Sequence, residues 1–162
     1  MLTAVLLWLC APAWAQFSTT GQFTGATLDP GWTVTGSSKL TKATGGSDSA
    51  VVTPGWLRLT ENANNDQGTA LYTGGSFSAI TGLTISFNYV TWGGAFGLPG
   101  GTQGADGISV FLFDATQNMA GAILGGGLGY CKGAGAYLGI GLDEYGNFSN
   151  ANDRCTDRKS VV

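Results

Sequence analysis

The clearest patterned stretch of this chain has the period of a strand. In Leu83-Thr84-Ile85-Ser86-Phe87-Asn88-Tyr89, the residues Leu83, Ile85, Phe87 and Tyr89 face one way and Thr84, Ser86 and Asn88 the other. That alternation marks a half-buried strand. No window carries a persuasive 3.6-residue apolar stripe. Glycine supplies 28 of the 162 residues, and each one inside a helix would cost roughly 1 kcal/mol. Further strands are expected at 32–35, 56–60, 69–73, 108–113 and 137–143, separated by clusters of Gly, Asn, Ser and Pro. Such spacing predicts an all-β sandwich rather than a βαβ fold. The runs 108–113 and 137–142 are apolar on both faces, so they are expected to lie centrally, with their outer face roofed by another sheet or by loops. Polar side chains gather in the loops at the strand ends, where binding groups on a rigid scaffold usually sit.

The charged residues exclude several functions. The chain has 7 Lys and Arg, 10 Asp and Glu, no His and a net charge of −3. Without His there is no Ser-His-Asp or Cys-His nucleophile, no His-ligated zinc and no His-based pH switch. The basic residues are scattered, so neither nucleic acid nor an anionic membrane surface is an expected partner.

Both ends are read apart from the fold. Residues 4–9 are an uninterrupted apolar run, and Ala13-Trp14-Ala15 before Gln16 has the small-x-small pattern of a signal-peptide cleavage site. The run is shorter than the roughly 20 residues that span a bilayer. The bulky Trp8-Leu9 before Cys10 does not suit a lipoprotein signal. No Lys or Arg precedes the run, and a buried N-terminal strand is the alternative. The expectation is a signal peptide at 1–15 and a mature chain that is secreted or held at the cell surface, in an oxidising environment and without membrane insertion. At the other end, residues 157–162 read like the translation of a sequencing adapter. The domain is then expected to occupy 16–156 and to be truncated there, with a natural short tail as the alternative.

Three segments could carry chemistry: Gly104-Ala105-Asp106-Gly107, the glycine loop Gly125-Gly126-Gly127-Leu128-Gly129-Tyr130, and the ten residues from Gly141 to Asn150. In the last, Asp143, Asn147 and Asn150 offer side-chain oxygens and Tyr145 a backbone carbonyl. Oxygen ligands at close spacing suit a hard cation such as Ca²⁺. On spacing alone, an Asp/Asn/Gly-rich turn that needs no metal is the favoured reading. Likewise, the glycine loop could be a connector and Asp106-Gly107 a plain turn.

Taken in order, Ala105-Asp106-Gly107 before an apolar strand, the Gly-Gly-x-Leu-Gly loop from Gly125 to Gly129, and Asp143-x-Tyr145-x-Asn147 resemble the legume-type (L-type) lectins and their bacterial relatives. The resemblance covers roughly 17–153. It implies a concanavalin-like jelly-roll β-sandwich that binds glycans at loop ends, usually with Ca²⁺. Carried over residue by residue, it implies that Asp106 accepts hydrogen bonds from sugar hydroxyls and that Gly126 donates a backbone N–H. Asn147 would serve both metal and sugar, and calcium would be held by Asp143, the Tyr145 carbonyl, Asn147 and a late residue, taken as Asn150. Three departures matter: Gly141 stands where the legume pattern has Glu, the later acidic ligand is replaced by a choice among Asn150, Asn152 and Asp153, and there is no His. The family's transition-metal site is therefore expected to be lost and a weaker calcium site to remain.

Beyond 1–15 the thiols are Cys131 and Cys155. Export and an even count favour a disulfide between them, with free thiols as the alternative. The functional expectation is a non-enzymatic carbohydrate-binding module, part of a larger adhesin or surface protein. A surface domain that binds no sugar is the first alternative. A glycoside hydrolase on the same sandwich is the lesser one, because hydrolysis needs two carboxyl groups flanking the bond. The Glu-x-Asp-x-x-Glu strand of laminarinase-type enzymes here reads Gly141-x-Asp143-x-x-Gly146. Glu144, adjacent to Asp143, would point to the opposite face of a strand.

Overall fold

The computed structural model describes residues 17–44, 54–63, 65–78, 82–91, 106–146, 148 and 160–161. Among these residues there are seven strands in chain order: β1 (Trp32–Gly36), β2 (Lys39–Leu40), β3 (Leu57–Arg58), β4 (Gly68–Tyr72), β5 (Gly107–Phe113), β6 (Ala136–Asp143) and β7 (Ser160–Val161). Among the described residues, two short 3-10 turns, Thr41–Thr44 and Gly125–Gly127, accompany them. Among the described residues there is no α-helix, and no helix is long and apolar enough to cross a membrane. The fold is all-β.

β1 and β4 form an antiparallel pair in which Trp32 opposes Tyr72 and Val34 opposes Ala70. The Trp32 and Tyr72 rings meet edge to face at 5.5 Å, and Phe23, Phe17 and Phe77 extend the row of aromatic contacts. β1 ends where Gly36 adopts φ +65, a conformation that suits glycine because it has no Cβ. β2 and β3 form a second antiparallel pair. It is lengthened by Thr41, whose N–H donates to the Trp56 carbonyl and whose Oγ1 accepts from the Trp56 N–H, both at 2.9 Å. Beyond Arg58 the ladder stops: the Leu59 carbonyl accepts from the Ser38 hydroxyl at 3.3 Å instead. β3 is therefore shorter than the expected 56–60.

Asp66 ties this corner together by accepting from the Ser37 hydroxyl and from the N–H groups of Glu61 and Gln67. The Ser37 bond, followed by the Glu61 bond, holds the Asp66 carboxyl below its ordinary value of 3.8. A depressed carboxyl contributes stability that is present above its unfolded value and is lost as pH falls through the folded one. Asp66→Asn should therefore lower the urea midpoint at pH 7 and lose that disadvantage in strong acid. A wild-type-to-variant gap that does not narrow on acidification would refute the assignment.

β5, β6 and β7 form the third sheet, in that order; β5 and β6 are antiparallel, and β7 joins β6 in parallel. The register of the first pairing shifts between Leu112, opposite Leu138, and Phe113, opposite Ala136. Buried on one face are Met119, Tyr130, Cys131 and Phe148, with Phe111 and Phe113 packed against them. Gly139 and Gly141, two residues apart on β6, share that face, and the Tyr130 and Phe148 rings lie over them. The absence of two Cβ atoms makes the slots in which these rings sit.

Two expectations are corrected. Residues 82–91 have no ladder partner among the described residues, and Leu83, Ile85, Phe87 and Tyr89 are 44–54% exposed. The alternation is present, but it does not bury a face. The second face of β5–β6 is also incompletely roofed, since Ile140 is 41% exposed.

Candidate functional site

The antiparallel register places Gly107 opposite Asp143. The start of β5 and the end of β6 therefore lie side by side, and with them two of the three segments singled out in the sequence. Gly107 has φ +127, and a Cβ there would run into the Leu142 carbonyl, so this crossing demands glycine. Immediately before it, the Asp106 carbonyl accepts from the N–H groups of Glu144 at 3.0 Å and Tyr145 at 3.4 Å. The turn leaving β6 thus hangs from the residue that enters β5.

Asp143 organises that turn. Its Oδ1 accepts from the N–H groups of Tyr145 at 3.1 Å and Gly146 at 2.8 Å, and its Oδ2 accepts from Phe148 at 2.6 Å. This is the Asx-type turn that an Asp after a strand readily makes. A carboxylate has about four acceptor directions, so the turn uses most of them. Calcium takes roughly six to eight oxygens. The described residues bring together two of the expected ligands, Asp143 and Tyr145, and the Asp143 carboxylate is already engaged by its own backbone. As arranged here, the described residues alone do not make a calcium cage. Asn147 and Asn150 lie outside the described residues, as does Ala105.

The glycine loop is the third segment. Gly125 (φ +64), Leu128 (φ +48) and Gly129 (φ +71) adopt left-handed conformations, which wind the loop back on itself. Internal bonds hold its shape: Leu128 N–H to the Gly125 carbonyl at 2.8 Å, Gly129 to Ile123 at 2.9 Å, Tyr130 to Gly127 at 2.9 Å and Ile123 to Cys131 at 2.8 Å. Gly127 is buried, and a Cβ there would press on Ile123 at 2.9 Å. This is a built loop and not a simple connector. Cys131, fully buried at its end, is disulfide-bonded; Cys155, its expected partner, lies outside the described residues.

Asp106 and the glycine loop face each other. The Asp106 Oδ2 lies 3.5 Å from where a Cβ on Gly125 would stand, and Gly126 follows directly. An acceptor carboxylate thus borders the exposed backbone of Gly125. Such an arrangement can receive a hydroxyl-rich molecule, with the carboxylate accepting and the loop permitting close approach. Among the described residues, no group of three or more His, Cys, Asp or Glu could hold a metal ion.

Sequence reasoning missed two features of this site. Ser109 lies within a run read as apolar on both faces, yet its hydroxyl donates to the Leu128 carbonyl at 2.7 Å. Tyr130 and Phe148, which support the glycine loop and the Asp143 turn from beneath, were not anticipated as core. Their signal was the pair Gly139 and Gly141 at two-residue spacing, the mark of a strand face that must accept something bulky. Comparison with known proteins finds no matching family model, no matching curated protein and no matching solved structure.

Proposed function

We propose that this chain is a secreted or surface-displayed glycan-binding module of legume-lectin type, folded as a jelly-roll sandwich and lacking enzymatic activity. Asp106 accepts hydrogen bonds from sugar hydroxyls, Gly126 presents its backbone N–H, and Asn147 completes the polar ring. The observation that supports this most is the juxtaposition of the Asp106 carboxylate with the bare backbone at Gly125. Charged acceptors make the stronger hydrogen bonds, and glycine allows a sugar ring to approach the main chain closely. Calcium held by Asp143, the Tyr145 carbonyl, Asn147 and Asn150 is the separable part of the reading.

A glycan array probed with the intact protein, with and without a calcium chelator, tests both parts. Binding is expected, and Asp106→Ala should weaken it roughly 10- to 100-fold, the worth of one or two charge-assisted hydrogen bonds, while leaving the melting temperature near wild type. Binding that survives chelation removes calcium and keeps Asp106. Unchanged affinity of Asp106→Ala removes that residue from the site.

The second reading is a surface domain that binds no sugar. It is favoured by the Asp143 turn, where three backbone N–H groups already engage the carboxylate. An array with no signal in either condition would select it.

A further inference from the structure

We propose that Ser109 is a positioning residue, which sets the gap between the glycine loop and Asp106 through its hydroxyl. The inference rests on the glycan-binding reading for its purpose but not for its geometry. The backbone bonds named above run from one part of 123–131 to another. They define the loop's shape, but they do not say where the loop sits relative to β5. The Ser109 hydroxyl does, by donating across to the Leu128 carbonyl at 2.7 Å.

The acceptor is a sensitive point of the loop. Leu128 lies at φ 48 and ψ 30 and caps the 3-10 turn Gly125–Gly127. A left-handed conformation is unfavourable for a residue with a Cβ and persists where its surroundings hold it. Ser109 bonds the carbonyl of that residue, and three residues earlier Asp106 leads into the same strand. The gap bordered by the Asp106 carboxylate and Gly125 is thus closed on one side by β5 and on the other by the loop, with Ser109 as the strut. The Ser109 side chain shares its face of the sheet with Gly107 and Phe111, and Phe111 packs near the Tyr130 ring at 6.0 Å. Apolar packing keeps the loop on the sheet, and the hydroxyl sets its place there.

Ser109→Ala removes the donor and almost no volume, whereas Ser109→Thr keeps the donor. Hydrogen exchange of the 123–131 segment reads the tie without any sugar present. Exchange at Leu128, Gly129 and Tyr130 should quicken roughly tenfold in Ser109→Ala, about the worth of one hydrogen bond, and return toward wild type in Ser109→Thr. Exchange in β6 should stay unchanged in both variants. On mannose-, glucose- and galactose-agarose, whichever sugar retains the wild type should retain Ser109→Ala less and Ser109→Thr nearly as well. Unchanged loop exchange in Ser109→Ala overturns the inference whether or not sugar binds, as does equal quickening in Ser109→Thr. A wild type retained by none of the three resins, with the exchange pattern as expected, counts against the glycan reading and supports the strut.

Discussion

Gly141→Ala should destabilise the protein by about 1–3 kcal/mol, the usual cost of overfilling a packed site. The sign is not obvious, because alanine is the better strand residue by roughly 0.5–1 kcal/mol. Geometry decides it. A Cβ on Gly141 would run into the Phe148 Cδ1, and one on Gly139 would stand 2.5 Å from the Tyr130 Cδ1, closer than carbon atoms can pack. Both rings are fully buried, so neither can swing into solvent without exposing the face it covers. Gly25→Ala is the control. A Cβ there would meet nothing nearer than the Thr27 carbonyl at 3.7 Å, and the substitution should leave the denaturation midpoint unchanged or slightly raised. If Gly141→Ala unfolds at the same denaturant concentration as Gly25→Ala, the ring-on-glycine packing is not what holds this sheet.

The second large effect is expected at Asp143, with calcium chelated. Asp143→Ala leaves the N–H groups of Gly146 and Phe148 without their acceptor and that of Tyr145 with the Asp106 carbonyl alone, at 3.4 Å. The Gly146 N–H is exposed and can turn to water. The Phe148 N–H is partly buried, and its loss carries most of an expected cost of roughly 1.5–3 kcal/mol. Asp143→Asn should recover little of it, since one carboxylate oxygen becomes an amide donor facing N–H groups. The measurement is a chemical denaturation in chelator, which separates a structural carboxylate from one that matters through a metal. Wild-type stability of Asp143→Ala under those conditions would mean that the turn does not depend on it. Since both Asp143 and Gly141 act through Phe148, the double variant should lose less than the sum of the two.

The sequence carries the strand content well where alternation and pairing coincide. The candidates 32–35 and 69–73 pair as β1 and β4, and 108–113 and 137–143 pair as β5 and β6. Residues 83–89 show the limit of that reasoning. Alternation reports which side chains share a face, but not whether another strand offers its edge, and Leu83, Ile85, Phe87 and Tyr89 stay exposed. β2 was too short to announce itself, since Lys39–Leu40 offers no period to detect. At the site, chain order alone could not bring Asp106 beside Asp143, because that depends on register; the glycine that permits the crossing, Gly107, looked like an ordinary turn residue. Ser109 was hidden by its neighbours: one hydroxyl among Ile108, Val110, Phe111 and Leu112 reads as packing until its acceptor is seen. Asn147 and Asn150 lie outside the described residues, and their part in the site rests on the resemblance.

The Asp106 carbonyl, which accepts from both Glu144 and Tyr145, has a consequence for redesign. The segment after β6 cannot be exchanged as an independent cassette, because a graft that alters the main chain at 144–145 also shifts the residue opposite. Any attempt to retarget this protein by loop transplantation must move the start of β5 together with the end of β6, as one unit.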